Sequence, residues 1–335
     1  MARYAFAALA AVLTLTAPQA ALAWGNTGHR IAGIAAMQAL PRDLPAFLRR
    51  PAAAEDVGEL SREQDRTKGS GKIHDHNRDA AHFVDIDEAG RLLGGPPLSP
   101  MPATRADYET ALRAHNLDSW KAGYLQYSIV DGMQHLTKDF GYWRVAAAAE
   151  KRARGQRKAW LAADRKRREA LILQSIGHLS HFVADGSQPM HASVHYNGWG
   201  DYPNPKGYTT AKIHGPFEGE LVVSGVTLAA VKGRMTPMRA CNCPIEQRTI
   251  DYLMASAAQI EPLYELEKAG GLKPGDARGL DFATRRLAVG ASELRDLVAE
   301  AWRASANVEV GWKPVKVSDV EAGRVDPYDA LRGAD

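Results

Sequence analysis

The sequence predicts an all-α protein that forms a single, mostly helical domain. Apolar residues recur at helical spacing in several long segments, whereas the alternating β-branched runs that predict strands are scarce. No internal repeat is visible along the 335 residues. A hydrophobic content of 45% and a charged content of 24% are ordinary for a folded protein. This composition excludes a wholly disordered chain, a fibrous protein and a disulfide-stapled miniprotein.

The start of the chain has the pattern of an export signal. Arg3 gives a positive beginning, residues 4–15 are almost wholly apolar, and residues 21–23 read Ala-Leu-Ala, which is a typical cleavage site. The apolar run is too short to span a bilayer. We therefore expect residues 1–23 to be a signal peptide that is cleaved after Ala23, and the mature protein to be secreted or periplasmic.

Helices are expected in five further segments. The first covers 29–40 and ends at Pro41, because proline cannot continue a helix. The other segments with apolar residues at helical spacing are 120–137, 143–185 with a break near Gly155, 245–267 and 276–305.

Two segments are predicted to be loops, and the end of the chain is predicted to be irregular. Residues 88–105 and 196–212 are rich in glycine and proline, and the second loop is also aromatic. Long ordered loops in compact domains are often functional. Residues 24–310 would then form the functional domain, and residues 311–335 an irregular tail.

Net charge and cysteine content restrict the function only weakly. A net charge of +3 does not by itself argue for nucleic acid or membranes. Residues 151–168 hold nine Lys or Arg and one acid, which suits a polyanion-binding face but more often means a solvated helix face. Cys241 and Cys243 could form a disulfide that constrains little of the chain or bind a metal, and we interpret them as structural or incidental.

A group of histidines and acids begins at the predicted end of a long helix. His181 and Asp185 are four residues apart, so both side chains project from one helix face and can bind one cation. Gly186 and Pro189 interrupt the helix, and the turn would bring His191 back toward the same place.

Two more histidines are paired with acids. His214 and Glu218 repeat the four-residue spacing, and His82 precedes Asp85 by three residues. One such pair is more often a surface ion pair, but several in one exported chain favour a metal site. Zinc is the ion that best suits imidazole and carboxylate ligands without redox chemistry.

The predicted cleavage site adds a further potential ligand. Cleavage makes Trp24 the first residue, so its free α-amino group and its carbonyl oxygen could chelate a metal together with His29. The alternative is that Trp24 and His29 only begin the first helix.

Taken in order, these motifs resemble a known superfamily. Trp-Gly-x-x-Gly-His from Trp24, His-Phe-Val-Asp from His82, His-x3-Asp-x5-His with Gln-Pro-Met from His181, and His-x3-Glu from His214 are similar to zinc-dependent phospholipases C and single-strand-specific zinc nucleases. The resemblance extends from residue 24 to about residue 220. It implies an all-α fold around a cleft that holds three zinc ions.

The resemblance also implies a ligand set for each ion. The first zinc would be bound by His82, His181, Asp185 and an upstream aspartate. The second would be bound by the Trp24 amine and carbonyl, His29 and the shared Asp185, and the third by His191, His214 and Glu218. Asp65 fits best as the upstream aspartate, Asp56 is the alternative, and Asp75 is too close to His82.

The implied activity is phosphodiester hydrolysis, in which a zinc-bound hydroxide attacks phosphorus and Asp85 orients or deprotonates the water. A nuclease acting on single-stranded DNA or RNA is slightly favoured, because the tryptophan-glycine motif and the gap between His191 and His214 are typical of the nucleases. Gln-Pro-Met-His-Ala and Glu218 are more typical of phospholipases C that hydrolyse phosphatidylcholine-type lipids. A non-catalytic zinc-binding structural or adhesion protein is the alternative of another class.

The second loop supplies candidate substrate contacts. Its aromatic side chains could stack on bases, hold a choline group or simply pack the loop; they are Tyr196, Trp199, Tyr202 and Tyr208. We expect a monomer whose partner is the phosphodiester substrate, with no protein partner. The remaining histidines are interpreted as ordinary; they are His74, His76, His115, His135, His178 and His195.

Overall fold

A computed structural model describes residues 24–241 and 243–333, and this part of the chain is predominantly helical. The all-α fold class is therefore confirmed. The predicted signal peptide, residues 1–23, lies outside the described residues. Among the helices of the described residues, none combines the length and the apolar character needed to cross a membrane.

The α-helices of the described residues are α1 (Gly25–Gln38), α2 (Pro51–Leu60), α3 (Glu63–Arg66), α4 (Lys72–Arg78), α5 (Arg105–Arg113), α6 (Ser119–Ala122), α7 (Leu125–Arg152), α8 (Gly155–Ser187), α9 (Val222–Gly225), α10 (Leu228–Arg234), α11 (Ile245–Ala257), α12 (Ile260–Lys268), α13 (Ala277–Ala304), α14 (Val317–Glu321) and α15 (Tyr328–Arg332). Short 3₁₀ turns cover Ala46–Arg49, Asp79–His82, Pro189–His191 and Ser305–Asn307, and a π-helical segment covers Pro216–Leu221. The strands β1 (Glu309–Val310) and β2 (Val315–Lys316) pair antiparallel.

Helices α7 and α8 form an antiparallel hairpin in the centre of the fold. Hydrogen bonds join residues on either side of the turn, from Arg165 to Glu150 and from Ser175 to Asp139, each at 2.6 Å. The predicted break near Gly155 is present, since α7 ends at Arg152 and α8 begins at Gly155. This hairpin carries the C-terminal part of α8 into the middle of the molecule.

Helix α7 is continuous where the sequence predicts two separate segments. Gly141 lies inside the helix, and a Cβ atom there would come within 2.5 Å of Val308. This glycine therefore allows close packing against the end of the chain and does not interrupt the helix. Elsewhere one predicted helix is in fact two, since the segment 245–267 is divided into α11 and α12.

The tail after Gly311 is not irregular, which corrects the sequence prediction. It contains strand β2 and helices α14 and α15, and it packs on α7. Four fully buried valines form a small second core there; they are Val145, Val310, Val317 and Val320. The elements are only two to five residues long, too short to show a period in sequence.

Cys241 and Cys243 are joined by a disulfide. The sequence left a disulfide or metal binding open for these two cysteines, and the structure contains the disulfide. The two cysteines lie in the segment between α10 and α11, apart from the histidines and acids described below.

The contact between α2 and α8 brings one side of the site into place. At Gly177, a Cβ atom would lie 2.5 Å from the Leu60 side chain and 3.0 Å from the Leu60 backbone. The helices can approach this closely only because residue 177 is glycine. Ser61 follows Leu60 directly, and its carbonyl oxygen lies 2.7 Å from Nδ1 of His181.

We expect Gly177→Ala to lower the free energy of unfolding by about 1–3 kcal/mol, because the added methyl group would overlap the α2 backbone. Urea unfolding followed by circular dichroism measures this change. The matched control is Gly233→Ala in α10, where nothing lies within 4 Å of the new methyl group. That variant should be stabilised by about 0.5–1 kcal/mol, since alanine favours helix more than glycine does. Equal effects at the two positions would contradict close packing at Gly177.

Candidate metal centre

Asp185 lies at the centre of a group of buried histidines. Its Oδ1 atom is 3.4 Å from Nε2 of His29, and its Oδ2 atom is 3.1 Å from Nδ1 of His82 and 3.3 Å from Nε2 of His181. Asp185, His29 and His181 are fully buried. The two carboxylate oxygens therefore face different imidazoles, which is the arrangement needed by a carboxylate that bridges two ions.

Asp65 is the acid that completes this group. Its Oδ1 atom lies 3.9 Å from Nε2 of His181 and 4.0 Å from Nδ1 of His82, and 2.6 Å from the ammonium group of Lys68. Asp56, the alternative, is exposed on α2, and Asp75 accepts a hydrogen bond from Gly69 instead. We call His29, Asp65, His82, His181 and Asp185 the bridged cluster.

A second cluster consists of His191, His214 and Glu218, and we call it the terminal cluster. The two Nε2 atoms of its histidines are 3.0 Å apart, and Oε1 of Glu218 lies 3.2 Å from one and 2.9 Å from the other. Gln188 donates a hydrogen bond of 2.6 Å to that same Glu218 oxygen. These are the three residues that the resemblance implies for the third ion.

Backbone carbonyl groups fix the orientation of three imidazole rings. Nδ1 of His181 lies 2.7 Å from Ser61 O, Nδ1 of His191 lies 2.6 Å from His82 O, and Nδ1 of His214 lies 2.7 Å from Tyr196 O. A carbonyl oxygen only accepts hydrogen bonds, so each Nδ1 carries the hydrogen. In the neutral ring, Nε2 then presents a lone pair to its cluster, which is the tautomer that metal-binding histidines use.

These lone pairs converge on one another and on carboxylate oxygens. In the terminal cluster two imidazole lone pairs and a carboxylate oxygen would repel one another at about 3 Å unless a cation or a proton lay between them. Several buried atoms have no hydrogen-bond partner in the described chain; they are both ring nitrogens of His29, Oδ1 of Asp185 and Oε2 of Glu218. Unpaired buried polar atoms are costly. Three groups of side chains could therefore hold metal ions: His29 with Asp65 and His181, His82 with His181 and Asp185, and the terminal cluster.

The electrostatics of the clusters show where protons bind when no metal does. Burial lowers the pKa of His29 to about 3 and that of His82 to about 4. Burial also opposes charge on His191, but the carboxylates of Asp185 and Glu218 outweigh it and raise its pKa to about 9. Glu218 is buried too, yet His214 and His191 hold its pKa down at about 2. A proton on His191 thus occupies the place that a cation could take.

Asp85 is the predicted catalytic acid, and it borders the same site. Its side chain is buried, its Oδ1 atom has no hydrogen-bond partner among the described residues, and burial raises its pKa to about 8. Its backbone N–H donates to Ala122 O and its carbonyl accepts from Leu93 N. The carboxyl group is therefore held beside the clusters but is not part of them.

A cavity of about 610 Å³ opens over the clusters. It is lined by Lys68, Asp79, Ala80, His82, Phe83, Asp85, Leu93, Trp120, Lys121, Met190, His191, Tyr196 and His214. Sequence reasoning missed Lys68, Trp120 and Lys121 as site residues, because no motif marks them. Trp120 was interpreted as an apolar position of a helix that in fact begins at Leu125.

The aromatic residues of the second loop have different roles. Tyr196 lines the cavity and is 53% exposed. Trp199 and Tyr208 are buried, 4% exposed each, and pack against one another at 4.5 Å between ring centroids. Tyr202 is partly exposed outside the cavity lining. Loop packing, one of the three predicted roles, therefore describes Trp199 and Tyr208.

Trp24 anchors the start of α1 beside both clusters. Its indole Nε1 atom donates to Ala184 O at 2.7 Å, and its ring packs against Phe217 at 5.4 Å. Gly25, the next residue, approaches the Glu218 backbone closely. The α-amino group that the resemblance requires becomes free only when the bond to Ala23 is cleaved, and that bond lies at the edge of the described residues.

No protein-family model and no curated protein sequence matches the chain. The functional argument therefore rests on the motifs and on the geometry of the clusters.

We expect metal binding, measured with Zn²⁺ as the probe ion, to release protons and to strengthen with pH. His191, whose pKa is raised, stays protonated at neutral pH without metal, so a metal must displace that proton. Because one proton is released, affinity at the terminal cluster should rise about tenfold per pH unit until pH approaches the pKa of His191. Calorimetric titration in buffers of different ionisation enthalpy counts the protons. An affinity that is constant between neutral pH and acid pH would contradict this assignment.

Proposed function

We propose that the mature protein is an exported zinc-dependent phosphodiester hydrolase with three zinc ions. The observation that supports this most strongly is the position of Asp185, whose two oxygens face separate imidazoles while the terminal cluster lies nearby; Oδ1 of Asp185 is 3.9 Å from Nδ1 of His191. Closely spaced metal ions that share a carboxylate are typical of enzymes that hydrolyse phosphate esters.

The proposed ligands follow the two clusters. His82, His181 and Asp65 share one ion with Asp185, and His29 shares a second ion with the other Asp185 oxygen. The amine and carbonyl of Trp24 complete the shell of the second ion. The third ion belongs to the terminal cluster. Nitrogen and carboxylate ligands of this kind suit zinc.

The metal ions, Asp85 and the lysines would have different roles in hydrolysis. Zinc, when bound, supplies a Lewis acid for the phosphate and lowers the pKa of a water molecule toward about 7. Asp85 would orient the water or take its proton, because its buried carboxyl group borders the clusters and its Oδ1 atom has no hydrogen-bond partner among the described residues. Lys121 borders the cavity and would contact the phosphate oxygens, whereas Lys68 is paired with Asp65.

Single-stranded nucleic acid is the proposed substrate. Trp120 is 42% exposed and Tyr196 53% exposed, and both line the cavity over the clusters. Exposed aromatic rings beside lysines bind single strands by stacking on bases and pairing with phosphates. The ring of His76 stacks on Trp120 at 4.8 Å and supports this platform.

A phospholipid is the second candidate substrate, and one observation favours it. The cavity also has an apolar lining, formed by Phe83, Leu93 and Met190, which suits acyl or glycerol groups. A non-catalytic zinc protein is less well supported, because structural zinc sites are closed whereas the clusters border a cavity. The Cys241–Cys243 disulfide supports export to an oxidising compartment.

Asp185→Asn should reduce the bound metal from about three ions to about one, since a neutral amide is a poor bridge and only the terminal cluster keeps its ligands. Mass spectrometry of the metal content measures this. The matched control is Asp139→Asn, a buried carboxylate of α7 that accepts from Ser175 and lies in neither cluster. It should keep the wild-type metal content. Three ions in Asp185→Asn would refute the bridging role.

The function itself is tested by turnover of single-stranded DNA, RNA and phosphatidylcholine by the mature protein, side by side. We expect hydrolysis that a chelator abolishes and zinc restores, and faster turnover of nucleic acid. Asp85→Asn should retain its zinc but lose about 10²–10⁴-fold in kcat, as expected for an acid–base group. A fully zinc-loaded protein with no turnover on any phosphodiester would disprove the enzymatic proposal.

A further inference from the structure

His195 and Glu88 form a hydrogen-bonded pair next to the metal centre, although the sequence suggests no role for His195. Oε1 of Glu88 lies 2.6 Å from Nε2 of His195, and the carbonyl oxygen of Trp199 lies 2.7 Å from Nδ1. His195 is 1% exposed, whereas the Glu88 side chain is 63% exposed. A solvent-facing acid therefore holds a buried imidazole.

Both ring nitrogens of His195 are held by oxygen atoms. The Trp199 carbonyl only accepts, so Nδ1 donates to it, and Nε2 shares the other hydrogen bond with the Glu88 carboxyl group. Partial burial opposes charge on Glu88, but the hydrogen bond to His195 outweighs it and lowers the pKa of Glu88. The Trp199 ring stacks on the imidazole at 3.6 Å and fixes the plane of the ring.

This pair is the last of four hydrogen-bonded links between two chain segments that carry site residues, the first being the bond from Nδ1 of His191 to His82 O. Val84 N donates to His191 O at 2.8 Å, and Val194 N donates to Ile86 O at 3.1 Å. The hydrogen bond between Glu88 and His195 follows directly. The linked segments contain His82, Asp85 and His191. The hydrogen bond between Glu88 and His195 therefore joins the two segments at the end away from His82 and His191.

The residues immediately after His195 hold the His214 ring. Tyr196 O accepts the hydrogen bond from Nδ1 of His214, and Oδ1 of Asn197 accepts from the His214 backbone N–H at 3.2 Å. The position of the Tyr196 carbonyl therefore sets the direction of the His214 lone pair. That position depends in turn on where His195 is fixed.

We propose that Glu88 and His195 are positioning residues that fix the Tyr196 carbonyl and so aim His214 into the terminal cluster. This inference rests on the proposed metal centre. Glu88 is a surface residue that belongs to no proposed ligand set, yet it should affect the affinity of the terminal cluster for its metal ion and not that of the bridged cluster. Residues that orient a metal-binding histidine typically change metal affinity by about 10–100-fold.

The experiment measures zinc affinity in the Asp185→Asn background, where the terminal cluster is the remaining zinc site. Adding Glu88→Ala should weaken zinc binding about tenfold. Adding Glu88→Gln should preserve the affinity, because the amide can donate to Nε2 of a neutral His195 while Nδ1 still donates to Trp199. Glu55→Ala is the control, since Glu55 is exposed on α2 and has no polar partner among the described residues.

The same variants in the otherwise native protein separate the possible outcomes. At a buffered free-zinc concentration that only just fills all three sites of the native protein, Glu88→Ala should lose zinc from the terminal cluster and retain about two ions. Glu55→Ala should retain three. Three ions bound with unchanged affinity in Glu88→Ala would overturn the positioning role and leave the proposed function intact. Equal weakening of all three ions would show a general structural effect and would also overturn it. A native protein that binds no zinc would overturn both proposals.

Discussion

The buried carboxylate of Asp185 is the constraint around which the fold is arranged. A fully buried charge of this kind costs several kcal/mol unless positive groups surround it. Helix α1 brings His29 to one oxygen, while α8 and the 3₁₀ turn Asp79–His82 bring His181 and His82 to the other. Small residues allow this convergence, since a Cβ atom on Gly33 would lie 3.1 Å from Ser180 and 3.4 Å from Gly58.

Two pairs of cluster residues could be found in the sequence because helical spacing is visible there. His181 with Asp185, and His214 with Glu218, each lie four residues apart, and a helix places such residues on one face. Asp65 was selected through the resemblance and not by spacing, and the structure brings it to the bridged cluster. The carbonyl groups that orient the imidazoles were not predictable, because a backbone oxygen can belong to any residue and only the fold decides which one.

The same limit explains the errors in the fold. The sequence predicts separate helices over 120–137 and 143–185, but in the structure Gly141, which lies between these segments, is the place where the end of the chain packs on α7. Trp199 and Tyr208 share the aromatic, glycine-rich context of Tyr196, yet they are buried by contacts with Tyr264 and with one another, and Trp199 also by His195. His195 was interpreted as ordinary because its partner Glu88 is 107 residues away along the chain.

The charges that line the cavity explain why metal ions would be needed to bind a phosphodiester. Lys68 and Lys121 share the cavity lining with the acids Asp79 and Asp85. Lys68 is engaged by Asp65 at 2.6 Å, which reduces its attraction for a phosphate. The net charge of the chain, +3, is too small to add much attraction. Favourable charge for a substrate phosphate would therefore have to come from cations in the clusters, which is consistent with histidines and acids, not arginines, forming the floor of the cavity.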